Sequence, residues 1–129
     1  MVDKNSALLF NAGAHYVKTT SFAQYQDAIS EMAKVLSEEF AGKAIWKSTT
    51  AMHDQTATIM GSFRRFNTNQ RVKLFNAYSN EVMCTAGISF LDIYPISASF
   101  PGGTMDGIHY IEEVFHPVEE LLVGYFSHE

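Results

Sequence analysis

Ile29-Ser30-Glu31-Met32-Ala33-Lys34-Val35-Leu36-Ser37-Glu38-Glu39-Phe40-Ala41-Gly42-Lys43-Ala44-Ile45-Trp46-Lys47-Ser48 is the stretch in which the hydrophobic period changes. Its first half continues a pattern that begins at Phe22. The apolar positions Phe22, Tyr25, Ile29, Met32, Ala33, Leu36 and Phe40 recur at three and four, so they fall on one helical face. With Ser21 placed to cap and Gly42 at the stop, this predicts a helix of about five turns. Beyond Gly42 the period is lost. The compact run Ala44-Ile45-Trp46 predicts a strand over Lys43 to Ser48.

The same alternation extends in both directions. Upstream, Ala7-Leu8-Leu9-Phe10 is a continuous apolar run stopped by Asn11-Ala12-Gly13-Ala14-His15-Tyr16, which reads as a buried strand feeding a loop. Downstream, Thr49 to Phe66 reads as a long polar loop holding His53, Asp54 and Gln55, and loops of that length in a small domain tend to be working loops. A second helix is predicted from Asn67 or Thr68, with Thr68 or Asn69 as its cap, Val72, Phe75, Tyr78 or Ala77, Val82 and Met83 on its apolar face and Gly87 as its left-handed stop. Ile88 to Tyr94, closed by Pro95, is the third predicted strand. A last amphipathic pattern runs through Val114, Phe115, Val118, Leu121, Leu122 and Tyr125, and Pro117 either kinks it or starts a new helix after His116. Strand and helix alternating three times is the signature of an α/β domain with a parallel sheet and right-handed crossovers.

Composition fits one such domain over residues 1–129. Of the 129 residues 47% are hydrophobic and 13% aromatic, enough for a proper core. Nine basic against 14 acidic residues give a formal charge of -5, and no basic cluster exceeds Arg64-Arg65, so the electrostatic footprint for nucleic acid is missing. The single cysteine, Cys84, excludes an internal disulfide and a cysteine-based zinc cluster, and its place in an apolar pattern reads as core. No apolar run approaches the roughly 20 residues of a membrane helix, so the expectation is a soluble chain without an export signal or membrane segment.

The predicted order collects polar residues after each strand: Asn11, Gly13 and His15 after the first, His53 after the second, Asp106 and His109 after the third. In an open α/β sheet that edge is where ligands bind. Asp106-Gly107-Ile108-His109 follows the turn Pro101-Gly102-Gly103-Thr104, at a predicted helix start, and its spacing lets the carboxylate reach the imidazole. That is the orienting half of a catalytic triad, in which one ring nitrogen is held by the acid while the other takes a hydroxyl's proton. Asp106 also reads as a helix N-cap, with His109 a half-buried first-turn residue. A metal site from His15, His53, Asp106 and His109 suits the chemistry of these side chains, but no pair has recognisable ligand spacing, so neither metal nor cofactor is expected.

Four blocks together, Leu8 to Tyr16, Ala44 to His53, Gly87 to Pro95 and Asp106 to Tyr110, resemble the later blocks of the SGNH (GDSL-like) hydrolase superfamily. They are most similar to its PC-esterase group, related to the plant trichome-birefringence-like polysaccharide O-acetyltransferases. The resemblance covers about Ala7 to Tyr125. It implies a three-layer sandwich on a short parallel sheet, flavodoxin-like and incomplete on its N-terminal side. It also implies an O-acyl (acetyl) esterase or O-acetyltransferase acting on a small O-acyl ester or acylated sugar, with His109 as base and Asp106 as its orienter. Asn11 and Gly13 fall where the family has an asparagine and a glycine near the oxyanion hole, although both residues also suit a turn of positive φ. His15 and His53 resemble pocket-lining histidines of the corresponding blocks, and each also reads as a satisfied structural histidine.

The departure is the nucleophile. The family's Gly-Asp-Ser-like turn has no counterpart before Ala7, and among the 11 serines, Ser48, Ser62, Ser97 and Ser99 are the ones near candidate loops. The expectation is therefore a domain whose serine block is absent, with a catalytically inactive binding or interaction protein as the alternative. In the family the missing strand lies beside the one matching Ala7 to Phe10. That edge is thus expected to drive homodimerisation or to receive a partner chain.

Overall fold

The computed structural model describes residues 2–53 and 66–127. The strands β1 (Ala7–Phe10), β2 (Lys43–Lys47) and β3 (Ser89–Leu91) form one parallel sheet in the order β1-β2-β3. Leu9 lies opposite Ile45, and Ile45 opposite Ser89. Helix α1 (Ala14–Thr19) and helix α2 (Phe22–Glu38) connect β1 to β2, and helix α3 (Asn69–Thr85) precedes β3.

The helix boundaries follow from side-chain chemistry. Ser21 and Gln24 form a reciprocal capping box at the start of α2: the Ser21 hydroxyl accepts from the Gln24 N–H at 3.2 Å and the Gln24 carbonyl oxygen accepts from the Ser21 N–H at 3.1 Å. Thr68 caps α3 by accepting from the Arg71 N–H. Gly87, at φ 75°, turns the chain out of α3 while the Ile88 N–H bonds back to the Met83 carbonyl. Gly42 is needed for a different reason, since a Cβ there would run into the backbone oxygen of Ser6.

The core lies between the sheet and the α2/α3 pair. Tyr25, Ile29 and Ala33 of α2 meet Val72, Phe75 and Met83 of α3 above Trp46, which is fully buried at the centre of β2 with Phe10 packed edge-on at 5.1 Å. Burying side chains of this size is worth about 1.5–3 kcal/mol each, so this face dominates the stability. Ile45 points the other way, toward helix α5 (His116–Ser127), whose Leu121, Leu122 and Tyr125 form an apolar groove with β3. That third layer is thin: α5 buries no residue completely, and Leu9 of β1 stays 46% exposed.

Several boundaries differ from the sequence expectation. The segment read as a loop after β1 contains α1, whose end is fastened to α3 by the Arg71 guanidinium donating to the carbonyls of Val17 and Thr20. β3 stops at Leu91 instead of Tyr94, because the Asp92 carboxylate accepts from the Tyr94 N–H and opens helix α4 (Tyr94–Ala98), with Pro95 in its first turn. Asp106 and His109 do not start a helix. They sit in a turn between two short 3-10 segments, Pro101–Gly103 and Glu112–Phe115, and Pro117 belongs to a new helix beginning at His116. Cys84 is exposed, because it falls on the outer face of α3 beside buried Met83. Asp54, Gln55, Ser62 and Arg64-Arg65 lie outside the described residues.

Candidate active site

The site grows from three loops at the carboxyl ends of the strands. After β1, the Asn11 amide nitrogen donates to the Lys47 carbonyl at 2.8 Å and makes a longer contact, 3.4 Å, with the Thr49 hydroxyl. Gly13 heads α1 at φ -83°, so it is not there for a positive φ. A Cβ at this position would lie 2.5 Å from the Asn11 Oδ1, so the glycine makes room for the asparagine. His15 lies on the exposed side of α1 and takes no part in the hydrogen bonds joining the loops.

After β2, residues Thr49–His53 have no regular structure, and side-chain amides of α3 hold them. Asn76 accepts from the Thr49 N–H and donates to the Thr49 carbonyl, both at 2.8 Å, and Asn69 does the same to Met52, also at 2.8 Å. Each amide imitates one rung of a β-ladder. Their seven-residue spacing places both on one face of α3. Ser97 adds a third tie through its hydroxyl, which accepts from the Ala51 N–H.

After β3 comes the acid–histidine turn. The Asp106 Oδ2 is 2.5 Å from the His109 Nδ1, and its Oδ1 accepts from the backbone N–H groups of Ile108 and His109 at 2.8 Å and from the Thr104 hydroxyl at 3.2 Å. The hydrogen bond from the His109 side chain, followed by the two backbone N–H groups, holds the Asp106 carboxyl well below the usual carboxylate range. An ionised carboxylate only accepts, so Nδ1 carries the proton, and in the neutral ring the Nε2 lone pair faces outward from a side chain that is 84% exposed. Gly107, at φ 83°, makes the turn possible.

His53 joins the second loop to the third. Its N–H donates to the Gly107 carbonyl at 2.9 Å, and its Nε2 lies 3.0 Å from the Ser97 carbonyl and must therefore be the protonated nitrogen. The structure thus links Asn11, the Thr49–His53 loop and the Asp106–His109 turn through hydrogen bonds and leaves His15 apart. Among the described residues no three His, Cys, Asp or Glu side chains come together as a metal site. None of the described candidate serines faces His109 through a hydrogen bond. Ser48 is buried and donates to Asp92, Ser97 is buried and donates to the Tyr94 carbonyl, and Ser99 donates to the Pro95 carbonyl.

Solved structures share this arrangement of elements. The lipase/acylhydrolase from Enterococcus faecalis superposes with a TM-score of 0.67 at 17% identity, over 95% of this chain and 60% of that one. The chain shares with it a flavodoxin-type α/β fold, here a fragment on a short three-stranded parallel sheet. A gut microbial diltiazem-metabolizing enzyme superposes with a TM-score of 0.62 at 19% identity, over 92% of this chain and 32% of that one. The chain therefore spans under two thirds of either structure. No protein-family model and no curated protein matches the sequence. Among the described residues no helix is long and apolar enough to cross a membrane.

Proposed function

We propose that Asp106 and His109 are the acid–base half of an ester-hydrolysing or acyl-transferring site of the SGNH type, acting on a small O-acyl ester or acylated sugar, with the PC-esterase group as the nearest branch. The observation that carries this is the dyad itself: a carboxylate saturated by hydrogen bonds fixes the tautomer of an exposed imidazole at the carboxyl edge of a parallel sheet. His109 takes the proton of an attacking serine and returns it to the leaving alkoxide. Asn11 donates an amide hydrogen to the oxyanion, using the one engaged only by the 3.4 Å contact to Thr49. Gly13 keeps that amide in place, and His53 borders the acyl acceptor from the second loop.

The serine belongs to a segment that pairs with β1. Two features support this: among the described residues β1 pairs with β2 alone, and Leu8 and Leu9 on it are 38% and 46% exposed. The segment comes from further sequence of the same polypeptide or from a partner chain. Hydrolysis of p-nitrophenyl acetate tests the reading. The 129-residue chain should turn over barely faster than free imidazole, with that residue of activity lost in His109→Ala, and co-expression with a strand bearing a Gly-Asp-Ser turn should raise the rate by orders of magnitude. Robust turnover by the chain alone that survives His109→Ala sinks the proposal.

A second reading, a binding or interaction protein that keeps the dyad without the chemistry, is favoured by the structural engagement of Ser48, Ser97 and Ser99. It predicts no gain of activity with the added strand. Light scattering decides the role of the β1 edge, because a well-behaved monomer at high concentration without any partner is not compatible with an edge that recruits one.

A further inference from the structure

The Asp106–His109 turn is exposed on its outer side, and Met105 just before it is 90% exposed, so its orientation must be fixed from beneath. Tyr110, the residue after His109, is half-buried there. Its hydroxyl lies 2.9 Å from the Ala51 carbonyl and 3.1 Å from the Ser97 carbonyl, a single hydrogen shared between the loop after β2 and the end of α4. The ring sits edge-on to His53 at 5.9 Å and tilted against Phe115 at 5.7 Å. Its backbone bridges to Thr104, whose hydroxyl accepts from the Gly107 N–H at 2.9 Å. Burial pushes the Tyr110 hydroxyl's pKa above the ordinary tyrosine value, so it remains a donor through the physiological range.

We infer that Tyr110 is the positioning residue for the dyad: its hydroxyl, bonded to the Ala51 and Ser97 carbonyls, locks the turn so that the His109 ring keeps its bond to Asp106. The inference rests on the proposed role of His109 as base. Tyr110 itself touches no reacting atom. Its side chain leaves the backbone one residue from His109, so loss of the hydroxyl anchor lets the His109–Tyr110 end of the turn twist against Gly107, which its bonds to His53 and Thr104 still hold, and the imidazole moves away from Asp106. His53 then acts as a strut, with its Nε2–H spent on the same Ser97 carbonyl that receives Tyr110.

The test is the imidazole nitrogen spectrum of the 129-residue chain, in which a His109 ring held by Asp106 gives the signal of a single tautomer, with the proton on Nδ1 and Nε2 bare. In Tyr110→Phe that signal should shift toward the averaged value of a free imidazole, the unheld fraction rising by roughly three- to tenfold, the population change expected from one lost buried hydrogen bond, while circular dichroism stays native. Phe115→Leu, which loosens the ring but keeps the hydroxyl, and the distant Tyr16→Phe should leave the signal unchanged. An unchanged signal in Tyr110→Phe overturns the inference. If that variant does not fold, native-state exchange of the unaltered chain decides: the Ile108 and His109 amides should open together with the Ala51 and His53 amides, and turn amides that exchange far faster than the loop amides overturn it. The readout needs no substrate. A shifted signal in a chain that never hydrolyses an ester under any pairing refutes the proposed function and leaves the positioning role standing.

Discussion

Asn76 of α3 is 5% exposed, and its amide closes both hydrogen-bonding groups of Thr49, itself 4% exposed, at 2.8 Å. Asn76→Ala leaves a buried N–H and a buried carbonyl without partners. Each unsatisfied group costs about 1–3 kcal/mol, so the loss is about 2–6 kcal/mol from a total of about 5–15 kcal/mol for a domain of this kind. At about 4 °C per kcal/mol for a chain of this length, the melting midpoint should fall by roughly 8–24 °C. Thermal and urea denaturation followed by circular dichroism measure it, and hydrogen exchange should show the Thr49 amide losing protection first. Asn69→Ala removes the matching pair on Met52 and should behave alike. A loss within the roughly 0.5 kcal/mol of an ordinary surface substitution would show that water replaces the amide without penalty, and the clamp would then hold nothing in place.

Acidification should act on Asp106. Because its carboxyl is held below the usual range by His109 and two backbone N–H groups, its contribution is fully present above the unfolded value of about 4 and is lost as pH falls through the lower folded value. Denaturation midpoints of the unaltered chain and Asp106→Asn should therefore differ by a constant amount from pH 7 to about pH 5 and converge in stronger acid; a gap that widens on acidification reverses the sign and defeats the assignment. Gly42→Ala should destabilise by about 1–3 kcal/mol, since the backbone oxygen of Ser6 cannot step aside as a side chain could, and chemical denaturation checks this. Gly13→Ala should cost about 1 kcal/mol by displacing the Asn11 amide from the Lys47 carbonyl, and the cost should shrink in an Asn11→Ala background if the double-mutant cycle couples the two.

Where hydrophobic period and turn chemistry agree, the fold was legible. The switch from a period of three and four to a short apolar run at Gly42 placed α2 and β2, and Ser21 and Thr68 by their hydroxyls and Gly87 by its positive φ act at the helix ends as predicted. The acid–histidine pair was legible as a pair but not as a turn, for a physical reason. The Asp106 Oδ1 accepts from N–H groups two and three residues on, as a helix N-cap does, and only the positive φ of Gly107 directs the chain away from a helix. Helix α1 was too short to show a period. Asp92 reads as part of a strand in the sequence because its bond with Ser48, which fixes the carboxylate where it can accept from the Tyr94 N–H, depends on β2 lying alongside. The amide clamps were illegible because asparagine on a core face signals nothing until the loop it serves is in position.

These ties determine what the site depends on. Asn11 holds the end of β2, Asn76 and Asn69 hold the loop beyond it, and His53 carries the connection into the dyad turn. Every step is a directional bond to a backbone group, made by an asparagine side chain in the first three and by the His53 backbone N–H in the last. The layer on the α5 side contributes little to this chain of bonds. Leu9 and α5 are largely uncovered, and α5 meets the sheet through the hydroxyl pair Ser89 and Tyr125 and an open apolar groove. A segment docking on β1 and that open face can therefore bury apolar surface without disturbing the dyad, because the bonds that orient His109 run through the other side of the sheet. The largely uncovered face and the bonds that orient the His109 ring thus lie on opposite sides of the sheet, so a change on one side need not reach the other.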